Sequence, residues 1–250
     1  MGDSLMLSGN DLAALAFYLG VWTFFALAAD GRLFNRISLT TAMNAQREAW
    51  MRTMARRELR MIDTGIMNGL QQGTAFFASS SVLAIGGCFA LLGATEQVLS
   101  VLSDLPYVGQ PERGVFETKV LGLVVLLAYS FFKFGWSYRL FNYCSILIGA
   151  VPLVRDEATH SAETEAAILR AAKMNILAGK HFNAGLRGIF FSISYLGWFV
   201  NAGVFAVTTF ILLGVLIRRQ FFSSARAALL VQLPPQAGPG STESIRPVSQ

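Results

Sequence analysis

Charge, cysteine and histidine are what this chain has least of. Charged residues occupy 14% of its 250 positions, against roughly a quarter in soluble domains, so an ordinary water-facing fold is excluded and the apolar surplus must face lipid. The two cysteines, Cys88 and Cys144, both lie inside apolar stretches, which leaves no disulfide framework and no Cys-rich metal site. The two histidines, His160 and His181, stand without a second His or carboxylate at metal-ligand spacing, so no metal is expected. A Walker loop, a His-Glu-x-x-His pair, a Cys-x-x-Cys pair and a dinucleotide glycine fingerprint are all missing, which argues against an enzyme and against a cofactor. No Lys or Arg precedes the first apolar stretch. The positive n-region of a cleavable signal peptide is therefore missing, and this segment is expected to stay in the mature protein.

What the chain does have is long apolar runs separated by loops of very unequal charge. The first, from Asp11 to Ala29, is close to the ~20 residues that cross a hydrocarbon layer of ~30 Å. The loop after it carries seven arginines: Arg32, Arg36, Arg47, Arg52, Arg56, Arg57 and Arg60. By the positive-inside rule that loop, residues 30–64, is cytoplasmic, and so is the second basic loop, residues 154–187. The second span runs from about Gly73 to Leu92. An acidic linker from Ala94 to Thr118, punctuated by Pro106, Gly109, Pro111 and Gly114, belongs on the other side. Within it Val98 to Leu105 has the makings of a short helix. Lys119 to Leu153 reads as one helix longer than the bilayer is thick, with Lys133, Trp136, Tyr138, Arg139 and Tyr143 as an interfacial belt near its cytoplasmic end.

The last apolar stretch, Gly188 to Ile217, is interrupted by Asn201-Ala202-Gly203. One kinked helix there gives four spans and places Arg218, Arg219 and Arg226 outside; a break at Asn201 gives five and keeps them inside. The reading favours four. The fold class is thus an all-α polytopic bundle with an amphipathic cytoplasmic helix, forming one membrane domain over residues 1–224. A Pro-, Gly- and Ser-rich tail, residues 225–250, is expected to be disordered.

The basic segment from Arg47 to Arg60 carries the amphipathic pattern. At 100° per residue Trp50, Met51, Met54, Met61 and Ile62 share one face, and Arg52, Arg56 and Arg60 the opposite one. One reading makes Trp50, Arg52, Arg56 and Arg60 a membrane-surface helix resting on anionic headgroups. A second notes that Arg47, Arg57 and Glu58 fall on the apolar side and need partners. On that reading Arg47, Asp63, Arg139, Asn142 and Arg187 form one polar cluster at the membrane boundary, locking the bundle or holding an anion such as a lipid phosphate. His181 is a distant candidate for a base.

Several runs together carry a resemblance: Arg47-x-x-Trp50-Met51, Asp63, Ala75-Phe76-Phe77-Ala78-Ser79, Phe134-x-Trp136-x-x-Arg139-x-x-Asn142-Tyr143, Asn183-x-Gly185-Leu186-Arg187, Trp198-Phe199 and Arg218-Arg219. Over about Leu12 to Ser224 the chain resembles the uncharacterised bacterial membrane-protein family catalogued as domain of unknown function 599. The resemblance implies a multi-pass membrane protein and transfers no activity. Asn201-Ala202-Gly203 stands where the family pattern leads one to expect a proline. The function expected is that of a binding, scaffold or accessory protein of the bacterial inner membrane. Its expected partners are anionic lipids, a protein or a second copy, and not nucleic acid. The alternative is a small-solute or lipid transporter, since interrupted helices often line solute sites.

Overall fold

The computed structural model describes residues 7–29, 37–104, 112–156 and 161–230. Arg32, Arg36, the Pro106 to Pro111 stretch, His160 and the tail from 231 onward lie outside the described residues. Among those described the chain is all helix: α1 (Gly9–Ala29), α2 (Leu39–Ala55), α3 (Met61–Gly93), α4 (Thr95–Ser103), α5 (Arg113–Ala150), α6 (Ala162–Tyr195), α7 (Ala202–Phe221) and α8 (Ser224–Leu229). Four segments are long and apolar enough to cross a membrane: Gly9–Ala29, Met61–Gly93, Arg113–Ala150 and Ala202–Leu229.

α5 is the spine, with α3 along one side and α6 along the other. α6 runs antiparallel to it over nearly its whole length. The Tyr195 hydroxyl donates to the Lys119 carbonyl at 3.1 Å near the start of α5, and the Ser137 hydroxyl donates to the Ala178 carbonyl at 2.8 Å further down. Such close pairing needs small residues where the helices meet. A Cβ at Gly185 would stand 2.7 Å from the Phe134 ring, and one at Gly188 would stand 2.1 Å from the Ser130 hydroxyl.

Two apolar cores form along this spine. The one at the end bearing Asp11 gathers Tyr18, Phe116, Val120, Phe191, Tyr195, Trp198 and Phe205. The one at the α2 end gathers Met51, Met54, Met67, Phe141, Cys144, Ile148, Ile168 and Ala171.

The interruption at Asn201 is a reversal. A 3-10 turn (Leu196–Phe199) ends α6. Asn201 is extended (φ −168°, ψ 170°), and its side chain accepts from the Val204 amide at 2.8 Å, capping α7. An extended N-cap starts a new helix in a new direction, which one kinked helix would not do. α7 therefore returns to the α2 end, where Gln220 donates to the Thr40 hydroxyl at 2.8 Å and Arg226 Nε to the Ile37 carbonyl at 2.7 Å. The reading that carried Arg218, Arg219 and Arg226 to the far side is corrected by these contacts. With α6 counted, five helices run the length of the bundle. α8 also makes the first residues of the expected tail helical.

α2 begins at Leu39, eight residues before Arg47, behind the N-cap Ser38, whose hydroxyl accepts from the Thr41 amide at 3.1 Å. It stops at Ala55, so Arg56 to Arg60 form a turn and not helix. Its Met51, Met54 and Ala55 are fully buried against protein. The methionine face of this helix is therefore used by the bundle.

Candidate functional site

Arg47 reaches from α2 deep into α6. Its Nη1 donates to the Asn175 carbonyl at 2.6 Å and to Asn175 Oδ1 at 3.1 Å. Asn175 is wholly buried, its amide nitrogen turned to Met67 Sδ (3.4 Å) and Cys144 Sγ (3.7 Å). The guanidinium fits there because residue 179 is glycine: a Cβ would stand 1.9 Å from Arg47 Nη1. Both acceptors are neutral. Burial accordingly pushes the Arg47 pKa down from its ordinary value, with the Cys144 thiol as a smaller opposing influence.

Arg47 forms one wall of a cleft of about 240 Å³ enclosed by the end of α1, α2, α6 and the last turns of α7. Arg187 and Arg219 line it as well, together with the polar Asn44, Asn183 and Gln220 and the apolar Phe25 and Leu216. Arg219 lies over the Phe190 ring at 5.9 Å, a cation–π contact. Arg47 and Arg187 are half-buried and Arg219 is exposed. No carboxylate is among the described residues that line the cleft, and none of the three arginines forms an ion pair with a described residue. Three cations facing one partly dry cleft repel one another, so the arrangement favours an anion between them.

The five residues expected as one cluster divide among four settings. Arg47 and Arg187 share the cleft. Asp63, fully buried in the first turn of α3, accepts at Oδ1 from Arg57 Nη1 (2.6 Å) and Trp50 Nε1 (2.7 Å), while its Oδ2 has no partner among the described residues. Asn142 Oδ1 accepts from Gln71 Nε2 at 2.9 Å, which also donates to the Ser145 hydroxyl. Arg139 donates to the Tyr143 hydroxyl at 2.6 Å and lies over the Trp136 and Tyr143 rings, on the outer surface of α5.

The residues expected as a membrane-surface helix separate as well. Trp50 is tied to Asp63. Arg52 is exposed and paired with Glu48 (3.0 Å) and Glu165 across to α6. Arg56 is exposed. Arg60 turns inward and donates to the Ile148 carbonyl (2.6 Å) and the Pro152 carbonyl (3.3 Å), supplying the unsatisfied end of α5. His181 faces Trp136 edge-on at 6.4 Å.

Asn175, Gly179 and Asn44 escaped the sequence reading because an isolated Asn or Gly in an amphipathic segment carries no signal of a partner more than a hundred residues away. Arg219 and Asn183 were visible only as parts of short runs. Elsewhere, between α3, α5 and α6, a groove of about 650 Å³ is almost wholly apolar, lined by Phe76, Phe77, Cys88, Leu127 and Ile193 among others. No group of three or more His, Cys, Asp or Glu able to hold a metal occurs among the described residues.

No curated protein and no solved structure matches the chain. The model of the family described as "Protein of unknown function, DUF599" matches residues 13–225, and the chain belongs to that family.

Proposed function

We propose that this protein is a multi-pass binding or accessory component of the bacterial cytoplasmic membrane, and that the cleft at its α2 end captures an anionic group. The observation that carries the proposal is the convergence of Arg47, Arg187 and Arg219 on one cleft with no carboxylate among its described lining residues. The positive-inside rule assigns that end to the cytoplasm, because both arginine-bearing loops and the returning Arg218, Arg219 and Arg226 lie there. A partly buried cation needs a counter-charge, and the headgroup layer is the nearest supply of one.

Binding is favoured over permeation by what lies beyond the cleft. Tyr18, Phe25, Phe191 and Phe205 fill the bundle there, each at most 3% exposed, so the polar cleft ends on packed rings. The test is gentle extraction of the full chain through a C-terminal tag, followed by mass spectrometry of whatever remains bound. A stoichiometric anionic lipid or solute, or a protein partner released by Arg187→Gln, is the expected outcome. A partner or lipid content indifferent to Arg47→Gln, Arg187→Gln and Arg219→Gln together would remove the cleft from the function.

A further inference from the structure

From the same cleft we infer that the anion is a phosphate group, held by Arg47, Arg187 and Arg219 at once. The inference rests on the anion-binding reading and narrows it. Its first ground is the number and origin of the donors. The three guanidiniums come from three different helices, so they approach the cleft from separate directions. A carboxylate is planar and offers two oxygens, a shape matched by one arginine fork. A tetrahedral phosphate offers oxygens on several sides and up to twice the charge, which suits forks arriving from three walls.

The second ground is the state of Arg47. Its Nη1 is held by Asn175, while Nε and Nη2 donate to no described residue. The pinned guanidinium thus keeps one edge for a ligand, already oriented and partly desolvated, which strengthens a charge-assisted pair. The third is the neutral surround. Asn44 and Asn183 add amide donors, and the first turn of α2 (Leu39 and Thr40) is at the rim, where a helix start favours negative charge. A cavity of about 240 Å³ far exceeds the ~30 Å³ share of a single water. A phosphate and part of what it is esterified to can therefore be accommodated together.

Two sources present this chemistry: the headgroup of a glycerophospholipid, and a free phosphorylated solute. The experiment uses the full-length protein in detergent micelles, with binding read by native mass spectrometry and titration calorimetry. The probes are phosphatidylglycerol, diacylglycerol as its phosphate-free counterpart, glycerol 3-phosphate, and succinate. Phosphatidylglycerol retained in preference to diacylglycerol, with little response to glycerol 3-phosphate, supports a bilayer phosphate; a response to glycerol 3-phosphate supports a solute phosphate. In either case Arg187→Gln weakens binding at least tenfold, Arg187→Lys weakens it less, and Arg170→Gln, an equal charge change on exposed α6 surface, leaves it unaltered. Succinate bound as well as or better than either phosphate probe overturns the phosphate inference and leaves the anion reading standing. Binding of none of the anionic probes overturns both. Phosphate binding that persists unchanged in folded Arg187→Gln and Arg187→Lys protein overturns the assignment to this cleft.

Discussion

Replacing Gly179 by alanine should move Arg47 without removing its charge. A Cβ at residue 179 would lie 1.9 Å from Arg47 Nη1, 2.4 Å from Cζ and 2.5 Å from Nη2. Normal contacts are far longer, so the guanidinium must retreat by about 1.5 Å or more, since the atom in the way belongs to the end of a flexible side chain and yields before the backbone does. That retreat breaks the bonds to Asn175 at 2.6 and 3.1 Å. Hydrogen bonds from a charged group contribute about 1.5–3 kcal/mol, whereas alanine in place of glycine inside a helix gains roughly 0.5–1 kcal/mol. The net cost in the wild-type background is then about 1–2 kcal/mol. In an Arg47→Ala background the same change should stabilise by roughly 0.5–1 kcal/mol, because only the helix gain remains. The assay is a double-mutant cycle on the full chain, unfolded reversibly in mixed micelles. The reasoning predicts a coupling of about 1.5–3 kcal/mol. If Gly179→Ala has the same effect in both backgrounds, within the ~0.5 kcal/mol of ordinary additivity, Gly179 is not the seat of Arg47.

Other predictions follow from the same contacts. Asp63→Asn removes the buried charge that pairs with Arg57 while keeping an amide oxygen that can accept from Trp50; with Arg57 partly in water, the loss should be about 2–3 kcal/mol in micelle unfolding, below the full value for a buried pair. Arg60→Ala takes the donor from the Ile148 carbonyl at the end of α5 and from the Pro152 carbonyl beyond it and should cost about 1–2 kcal/mol, seen also as faster amide exchange at the end of that helix. Asn201→Ala should lower stability by about 1 kcal/mol while Asn201→Asp, which can still cap, should not; equal losses would argue that the reversal does not depend on the cap. Single cysteines introduced by Arg56→Cys and Arg226→Cys, in a chain whose two native cysteines are replaced, should react with an impermeant thiol reagent from one side of the membrane, and Glu96→Cys from the other. Labelling of Arg226→Cys together with Glu96→Cys would mean that α7 does not return.

The large features of the fold were legible because they follow from composition and period. Apolar length marked α1, α3 and α5, and the reading that carried the last of these to Leu153 overran its close at Ala150 by three residues. The helical wheel drawn from Arg47 to Arg60 failed at its end because it assumed one continuous helix. Met61 and Ile62, set on the same face as Met51, are 79% and 66% exposed, since a turn at Arg56 to Arg60 intervenes and restarts the count. Asn201 was readable as an interruption, but only its extended backbone and side-chain cap distinguish a reversal from a kink. The polar groupings were least legible. A charge inside a bundle pairs with whatever tertiary packing brings near, and Arg47 finds Asn175, not Asp63, through a contact spanning 128 positions. Of the five residues expected together, Arg187 and Arg47 line one cleft.

The return of α7 has a consequence for the order in which the molecule becomes competent. Synthesis delivers the chain from its N-terminus, and Arg219 and Gln220 are among the last described residues to emerge. Until they arrive, the walls contributed by α1, α2 and α6 stand open, and Thr40 and the Ile37 carbonyl lack the side chains that clasp them. A chain truncated before Ala202 would still contain Arg47 and Arg187 but would have no closed receptacle for a ligand. Under the proposed function, the cleft could therefore hold its anion only in the finished molecule.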